Sequence, residues 1–369
     1  MRIQGEARLQ GQDGSIMTVP LDWKQEYKSL GDFIATHADI VLTASEISVP
    51  QAVRDEFYRR FDVVRKAVVE QHYPTLPVEV EILSRNYLQI EREITELLGL
   101  DGILMPIDLS SFLHGPKDGL MRVLYTRTFD VLQGKITVET FEKQAGNDLQ
   151  TAAADLFRLG YELWATLVLI KLLEPDEAFL VDLDDESKPF LRELKDISFG
   201  RQAHHPTMRI PEFVLHSRKI NRYVAVKMVL AREIETFVVP FTPPVRPKKK
   251  TGDTSFTLDS RVMILFFMPS RDEIPVLADI YDRTLTSPDW MVEYIMENEL
   301  GNPDSLDQIR QHGEALKPKL GSCLIRIGCG QETGPRNIPE TIPAVSVGFD
   351  QSRLQAIIEA LPLDSIPSA

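Results

Sequence analysis

The longest regular pattern in the chain runs from Thr137 to Leu173, where small or apolar residues recur in steps of three and four. Such steps place these residues along one side of an α-helix. From Leu156 onward, apolar residues occupy nearly every side of that helix, which predicts that its second half is buried between layers. We therefore expect a long central helix that ends at Pro175.

Four earlier segments carry shorter apolar stripes with the same helical period, and we expect each of them to form a helix. They are residues 22–36, 51–73, 78–98 and 116–132. Short connections favour antiparallel neighbours, so residues 21–174 are predicted to form an α-helical bundle. Glycine and asparagine at 145–147 weaken a helix, which predicts a break in the first half of the long one.

Downstream of Pro175 the pattern changes to alternation and to short runs rich in β-branched and aromatic residues. Seven such runs predict a sheet in residues 175–369 that is mostly antiparallel up to Met268. Flanking helices are predicted at 273–284, 289–299, 305–316 and 351–361. Residues 242–255 are rich in proline, lysine and glycine, and we expect them to form an exposed basic loop.

The beginning of the chain predicts a β-hairpin with its turn at 11–14. Two strands alone are marginally stable, so we expect this hairpin, residues 1–20, to join the larger sheet. The predicted fold class is α+β. It combines an N-terminal helical region that starts with a β-hairpin and a C-terminal, mostly antiparallel sheet with flanking helices.

Composition supports a folded chain without a membrane span. Hydrophobic residues make up 43% of the sequence, enough for a sizeable core. The longest nearly apolar run, 163–170, is far shorter than the roughly 20 residues that a membrane span needs. The charged and glycine-containing start does not resemble a signal peptide, and Cys323 and Cys329 fit a reducing compartment. We therefore expect a cytoplasmic protein.

The charge of the chain is unevenly distributed. The formal net charge is −14, yet residues 187–260 hold 14 Lys and Arg against seven Asp and Glu. Such a basic block can bind an anionic ligand or nucleic acid, or it can pair with acidic parts of the same fold. Internal pairing is the interpretation we favour.

An acidic run at 174–186 suggests a metal site, because carboxylates are the ligands that Mg²⁺ and Mn²⁺ prefer. Pro175-Asp176 followed by Glu193-Leu194-Lys195 resembles the motif of the PD-(D/E)xK nucleases. The resemblance implies that Asp176, Asp182 and Glu193 hold the metal, and that Glu193 and Lys195 are catalytic, with the lysine beside the attacking water. It also requires a strand around Glu193, where the sequence is equally compatible with a helix. A solvated acidic turn is the simpler interpretation.

A second group of candidate residues lies in the basic block and suits an anion. It comprises Arg201, His204, His205, His216 and Arg218. Arginine forms bidentate contacts with phosphate or carboxylate, and histidine titrates near neutral pH. The alternative is that these histidines lie in loops and bind backbone or water.

These observations leave three hypotheses for function. The first is a non-enzymatic cytoplasmic binding protein, an assembly or regulatory component with a protein partner or a homo-oligomeric state. The second is a metal-dependent phosphodiesterase or nuclease that uses Mg²⁺ or Mn²⁺. The third is a sensor of a small anionic ligand. The exposed loop at 242–255 and the lack of a dense catalytic motif favour the first.

Overall fold

The computed structural model describes residues 9–10, 16–17, 22–198, 208–231, 233–234, 260–279, 282, 284–297, 299–300, 302–328, 343–359 and 361. The chain divides into two compact units. The first, which we call the helical unit, comprises Met1–Glu81 and His114–Ala154. The second, the sheet unit, comprises Ile82–Leu113 and Asp155–Ala369. This division differs from the predicted boundary after residue 174, because the apolar second half of the long helix belongs with the sheet.

The helices largely follow the predicted stripes. They are α1 Trp23–Ala35, α2 Arg54–His72, α3 Val78–Leu98, α4 Ile107–His114, α5 Pro116–Val123, α6 Tyr125–Leu132 and α7 Val138–Leu172. In the helical unit, Leu30 of α1 packs with Phe57 and Phe61 of α2 and Phe129 of α6. Two short strands, β3 Val41–Leu42 and β4 Ile47–Ser48, pair between α1 and α2.

Helix α7 is continuous for 35 residues, about 52 Å at 1.5 Å per residue. The predicted break at 145–147 is therefore wrong. A Cβ atom on Gly146 would lie 2.9 Å from the Cε1 atom of His72, so glycine at this position permits the approach of α2. The helix is followed by Glu174, which has a left-handed φ of 51°, and Pro175 begins a strand as predicted.

The sheet unit contains an eight-stranded sheet with the order β17-β16-β15-β12-β11-β10-β6-β7. Its strands are β6 Pro175–Leu183, β7 Pro189–Glu193, β10 Phe213–Ser217, β11 Arg222–Leu230, β12 Arg261–Met268, β15 Trp290–Met296, β16 Ser322–Ile327 and β17 Ala344–Ser346. Neighbours pair antiparallel from β7 to β15, whereas β15, β16 and β17 are parallel. The α+β fold class and the mostly antiparallel sheet are thus confirmed.

Shorter strands accompany this sheet. They are β5 Gly102–Leu104, β8 Asp196–Ser198, β9 Met208–Arg209, β13 Ala278–Asp279 and β14 Thr284–Leu285. β5 pairs with β8, and β13 lies between β9 and β14. Helix α8, Pro303–Leu316, connects β15 to β16, and α9, Gln351–Glu359, follows β17.

Two predicted helices are wrong. Residues 273–284 contain β13 and the start of β14, and residues 289–299 contain β15. All six residues from Trp290 to Ile295 are buried, because β15 lies inside the sheet with both faces covered. A strand that is buried on both faces lacks the alternation that marks a half-exposed one, so its apolar run can be mistaken for a helix.

The predicted hairpin at the start forms from β1 Leu9–Gln10 and β2 Ile16–Met17, with Leu9 opposite Met17. Within the described part of the chain these strands pair with each other and form a sheet of their own. The predicted basic loop at 242–255 lies outside the described residues. None of the described helices has the length and apolar character that crossing a lipid bilayer requires.

Candidate functional site

The three predicted metal ligands lie apart in the structure. Asp176 and Asp182 are six residues apart on β6, about 20 Å along a strand. Glu193 on β7 is aligned with Phe179, whereas Asp182 is aligned with Phe190. Because side chains alternate along a strand, Asp182 and Glu193 project from opposite faces of the sheet. One ion therefore cannot contact both.

Further contacts agree with this separation. Asp182 forms a salt bridge of 3.0 Å with Arg192, and the side chains of Glu193 and Lys195 are exposed. The carbonyl oxygen of Lys195 accepts a hydrogen bond from the Asp101 amide at 2.8 Å. Among the described residues there is no group of three or more histidine, cysteine or carboxylate side chains that could hold a metal ion.

The predicted anion-binding residues are only partly described. Arg201, His204 and His205 lie outside the described residues. His216 lies on β10, where its Nδ1 atom is 2.6 Å from Oδ1 of Asp176. The pairing of β10 with β6 shifts register next to His216, and this irregularity accompanies the contact between the two side chains. The structure thus joins two residues that the sequence assigned to different sites.

Arg218 follows β10 and is exposed. Its backbone amide donates a hydrogen bond of 3.1 Å to the carbonyl oxygen of Glu174. The described contacts therefore give Arg218 a place in the β10–β11 turn, next in space to the end of α7.

A buried ion pair that the sequence analysis missed lies deeper in the same strands. Lys227 of β11 is only 4% exposed, and its Nζ atom donates to Oε1 of Glu212 at 2.7 Å. The other carboxylate oxygen of Glu212 accepts a hydrogen bond of 2.8 Å from the amide of Met228. The Glu212 amide in turn donates to the carbonyl oxygen of Val226 at 2.8 Å. We call these two residues the Lys227–Glu212 pair.

The position of Lys227 in β11 and of Glu212 next to β10 determines where this pair lies. Ala225 and Val229, two residues before and after Lys227, belong to a large apolar core cluster of the sheet unit. Side chains two apart share a face, so the stem of Lys227 enters the same apolar layer. Lys227 is aligned with Ile264 of β12, and Glu212 immediately precedes β10. The hairpin between β10 and β11 therefore brings together two charges that are 15 positions apart.

A small pocket borders the pair. Its volume is about 50 Å³, above the minimum that a water molecule needs. Leu180, Leu194 and Phe213 contribute apolar walls, and Asp196 and Ser198 contribute polar groups. The pocket thus combines a mostly apolar lining with one ammonium and one carboxylate on its wall.

Burial changes the electrostatics of the pair. Burial raises the pKa of Glu212, an effect that the charge of Lys227 and its hydrogen bond oppose. Removal of two charges from water also costs several kcal/mol for each ion, and the attraction between them repays this only with good geometry. Arrangements of this kind add little to stability compared with apolar side chains of similar volume.

A second buried polar group lies between α7 and the sheet. Glu162 accepts hydrogen bonds from Ser260 Oγ at 3.0 Å and from the amide of Arg261 at 3.3 Å. Burial raises the pKa of Glu162 to about 7. One turn further along the helix, the Thr166 hydroxyl is 2.8 Å from that of Tyr294. These polar residues lie on the half of α7 that the sequence pattern described as almost wholly apolar.

A third group lies between β15 and α8, on the other face of the sheet from Tyr294. Nδ1 of His312 is 2.7 Å from Oε2 of Glu293, and both side chains are buried. Within the described residues, Nε2 of His312 has no hydrogen-bond partner. Burial raises the pKa of Glu293, and the contact with His312 opposes that rise.

Comparison of the chain with protein-family models, with curated proteins and with solved structures gave no match. Function must therefore be inferred from the geometry of the chain itself. Among these buried polar groups, the Lys227–Glu212 pair has the clearest route to a ligand, because both of its members line a pocket.

Proposed function

We propose that this chain is a binding protein whose ligand is a small organic molecule held beside the Lys227–Glu212 pair. The observation that supports the proposal is a buried ion pair on the wall of a pocket. A buried pair is a poor way to gain stability, so its position next to a cavity favours a role in recognition. The sequence favours a different kind of binding, an assembly or regulatory role with a protein partner or a second copy of the chain, and that hypothesis stays a prediction.

The pocket defines the class of ligand. The pocket volume of about 50 Å³ limits the ligand to a small molecule of a few non-hydrogen atoms. Nζ of Lys227 carries up to three N–H donors and gives one to Glu212, so it has capacity for a ligand oxygen. The apolar walls favour an alkyl body. We therefore expect a short aliphatic molecule with a hydrogen-bond-accepting oxygen at one end.

Propionamide is a suitable probe, because it has this size and an oxygen acceptor that does not react with amines. Two backbone amides report on the site: that of Met228, which donates to the Glu212 carboxylate, and that of Val181, which donates to the Glu212 carbonyl oxygen at 3.1 Å. In a millimolar titration followed by amide NMR, we expect saturable shifts at both. The amide of Tyr73 in the helical unit serves as a reference and should stay unchanged.

The control for this titration is the double variant Lys227→Met with Glu212→Gln. It removes both charges together, because removal of one partner alone leaves an uncompensated buried charge and costs about 3–5 kcal/mol. Glutamine retains an oxygen for the Met228 amide. The double variant should fold, as circular dichroism can verify, and should lose the saturable shifts, whereas Lys188→Met at an exposed pair should keep them. Unchanged amides in the unsubstituted chain would refute the proposal.

The metal-dependent nuclease is the weaker alternative. Its ligands Asp182 and Glu193 project from opposite faces of the sheet, and Lys195 lies beyond the end of β7. The placement of these residues lends no support to a shared metal ion. The small-anion sensor retains His216 and Arg218 among the described residues, with the carboxylate of Asp176 already in contact with the imidazole.

A further inference from the structure

We infer that Lys227 is a nucleophile that forms an imine with a small aliphatic aldehyde or ketone in the pocket. The inference rests on the proposed function, because the carbonyl compound must first occupy the space that Lys227 and Glu212 line. It adds a covalent step to binding and defines the ligand oxygen as that of a carbonyl group.

The surroundings of Lys227 support this role through desolvation. The side chain of Lys227 is 5% exposed, and Nζ lies 2.7 Å from a carboxylate oxygen. The Lys188–Glu186 pair has the same separation of 2.7 Å, but its side chains are 71% and 73% exposed. Lys188 therefore lies in water, whereas Lys227 lies beside a mostly apolar pocket and one carboxylate. A lysine in an apolar environment is one of the ways in which proteins obtain a nucleophilic amine.

Glu212 supplies the base that the amine needs. An ammonium ion cannot attack a carbonyl group until it has lost a proton, and Oε1 of Glu212 is the acceptor in contact with Nζ. Because burial raises the pKa of Glu212, its carboxylate takes up a proton more readily than a solvated glutamate does. The Met228 amide holds the second oxygen and so fixes the carboxylate next to Nζ.

Nζ of Lys227 and the carboxylate of Glu212 account for the bonds and protons of the reaction. Nζ loses one proton to Glu212, and its lone pair then forms a bond to the carbonyl carbon while the carbonyl π bond breaks towards oxygen. That oxygen takes a proton and the nitrogen loses one, which gives a neutral carbinolamine. Protonated Glu212 then donates to the hydroxyl group, which leaves as water while the nitrogen lone pair forms the carbon–nitrogen double bond. The sum is one ammonium group and one carbonyl compound converted into one protonated imine and one water, with Glu212 returned to its carboxylate form and without oxidant or reductant.

The pocket restricts which carbonyl compounds react. Its volume of about 50 Å³ favours small carbonyl compounds such as propionaldehyde over aromatic aldehydes such as naphthaldehyde. Leu180, Leu194 and Phe213 pack around an alkyl chain, and they leave only the carbonyl end in contact with polar groups. The expected substrate class is therefore short-chain aliphatic aldehydes and ketones.

The experiment traps the imine on the whole folded chain. The protein is incubated with propionaldehyde and cyanoborohydride at neutral pH, and peptide mass spectrometry follows N-propylation at each lysine over time. We expect Lys227 to be modified at least about tenfold faster than Lys188, because only Lys227 lines a pocket that can hold the aldehyde next to the amine and its base. Naphthaldehyde should reverse this order. The comparison is internal to one protein sample, so it requires no substitution that could unfold the chain.

A pair of matched substitutions then tests the role of the base. Because Glu212→Gln leaves the charge of Lys227 unpaired and lowers stability, circular dichroism first verifies that this variant is folded at the assay temperature. In the folded variant, propylation of Lys227 should slow at least about tenfold, whereas Glu186→Gln should leave Lys188 unchanged. Equal rates at Lys227 and Lys188 in the unsubstituted protein would overturn the inference. If propionamide still shifts the Met228 amide in that case, the binding function stands and only the imine chemistry fails. If neither probe acts at the pocket, both fail.

Discussion

Glu162 is the residue at which the structure connects stability to pH most directly. Its carboxyl group lies between α7 and the start of β12, and burial raises its pKa from 4.5 to about 7. A carboxyl group with a raised native-state pKa contributes stability that is fully present below its unfolded-state pKa. That contribution is lost as the pH rises through the native-state value. The relevant window for this residue is therefore pH 4.5 to about 7.

We predict that Glu162→Gln flattens this part of the stability profile. The free energy of unfolding of the unsubstituted chain should fall between pH 5 and 8 by on the order of 3 kcal/mol more than that of the variant. Urea denaturation at the two pH values measures the difference. Glu186→Gln, at an exposed side chain, should leave the profile unchanged. An identical pH dependence in Glu162→Gln would show that this carboxyl group keeps an ordinary pKa.

At the residue scale the sequence predicted candidate groups better than it predicted their partners. His216 and Asp176 were both chosen for their chemistry, yet their contact depends on a register shift that only the folded strands reveal. The sequence analysis did not select Lys227, because it lies between Val226 and Met228 in β11. In an alternating strand a single lysine is expected on the solvent-exposed face. Its burial follows from the layer that covers that face.

At the scale of elements, Gly160 of α7 marks a close contact with neighbouring side chains, as Gly146 does earlier in the same helix. A Cβ atom on Gly160 would lie 2.8 Å from Cδ2 of Leu113 and 3.0 Å from Cδ2 of Leu83. Gly31 of α1 offers a comparison, because no other atom lies within 4 Å of the corresponding position. Both positions are inside helices, so the intrinsic preference for alanine is the same at each.

We predict opposite effects of alanine at these two positions. Gly31→Ala should stabilise the chain by about 0.5–1 kcal/mol, because alanine is the better helix former and meets no obstacle. Gly160→Ala should destabilise it by about 1–2 kcal/mol, because the leucine side chains must move aside and this cost exceeds the helix preference. Thermal and chemical denaturation of the two variants provide the measurement. Stabilisation by both substitutions would mean that the contacts at Gly160 are loose.

One physical cause explains why some elements were predicted correctly from the sequence and β15 was not. Helices α1, α2 and α3 each expose one side, so a stripe in the sequence was enough to predict them. Strand β15 has no exposed side between Trp290 and Ile295, and its pattern carries no period to distinguish it from a buried helix. The information that makes it a strand lies in β12 and β16, which pair with it from either side.

At the scale of the whole molecule, the response to divalent cations can be predicted for the carboxylates that the structure describes. Acidic side chains dominate the net charge of −14, but the described ones do not converge in threes. We expect Mg²⁺ or Mn²⁺ to change the melting temperature no more than a salt of monovalent ions at the same ionic strength does. Both should act only by screening the surface charges. A specific rise that disappears in Glu193→Ala would instead support the metal-dependent nuclease.

The fold as a whole was predictable to the level of its class and its long helix, because these depend on periodicity and composition. The order of strands was not predictable, because it depends on pairings between strands that are distant in the sequence. An example is β6 with β10, which are separated along the chain by β7, β8 and β9. The same holds for the candidate pocket, whose lining comes from four separate strands and the segments between them.

The change from antiparallel to parallel pairing at β15 bears on how the chain is synthesised. β15 is complete when Met296 leaves the ribosome, yet its neighbour β16 begins only at Ser322, beyond the α8 crossover. Until then the nascent chain carries an apolar strand with one edge unpaired, which is a template for association with other chains. Premature termination between these two strands would therefore yield a fragment prone to aggregate rather than a smaller working protein.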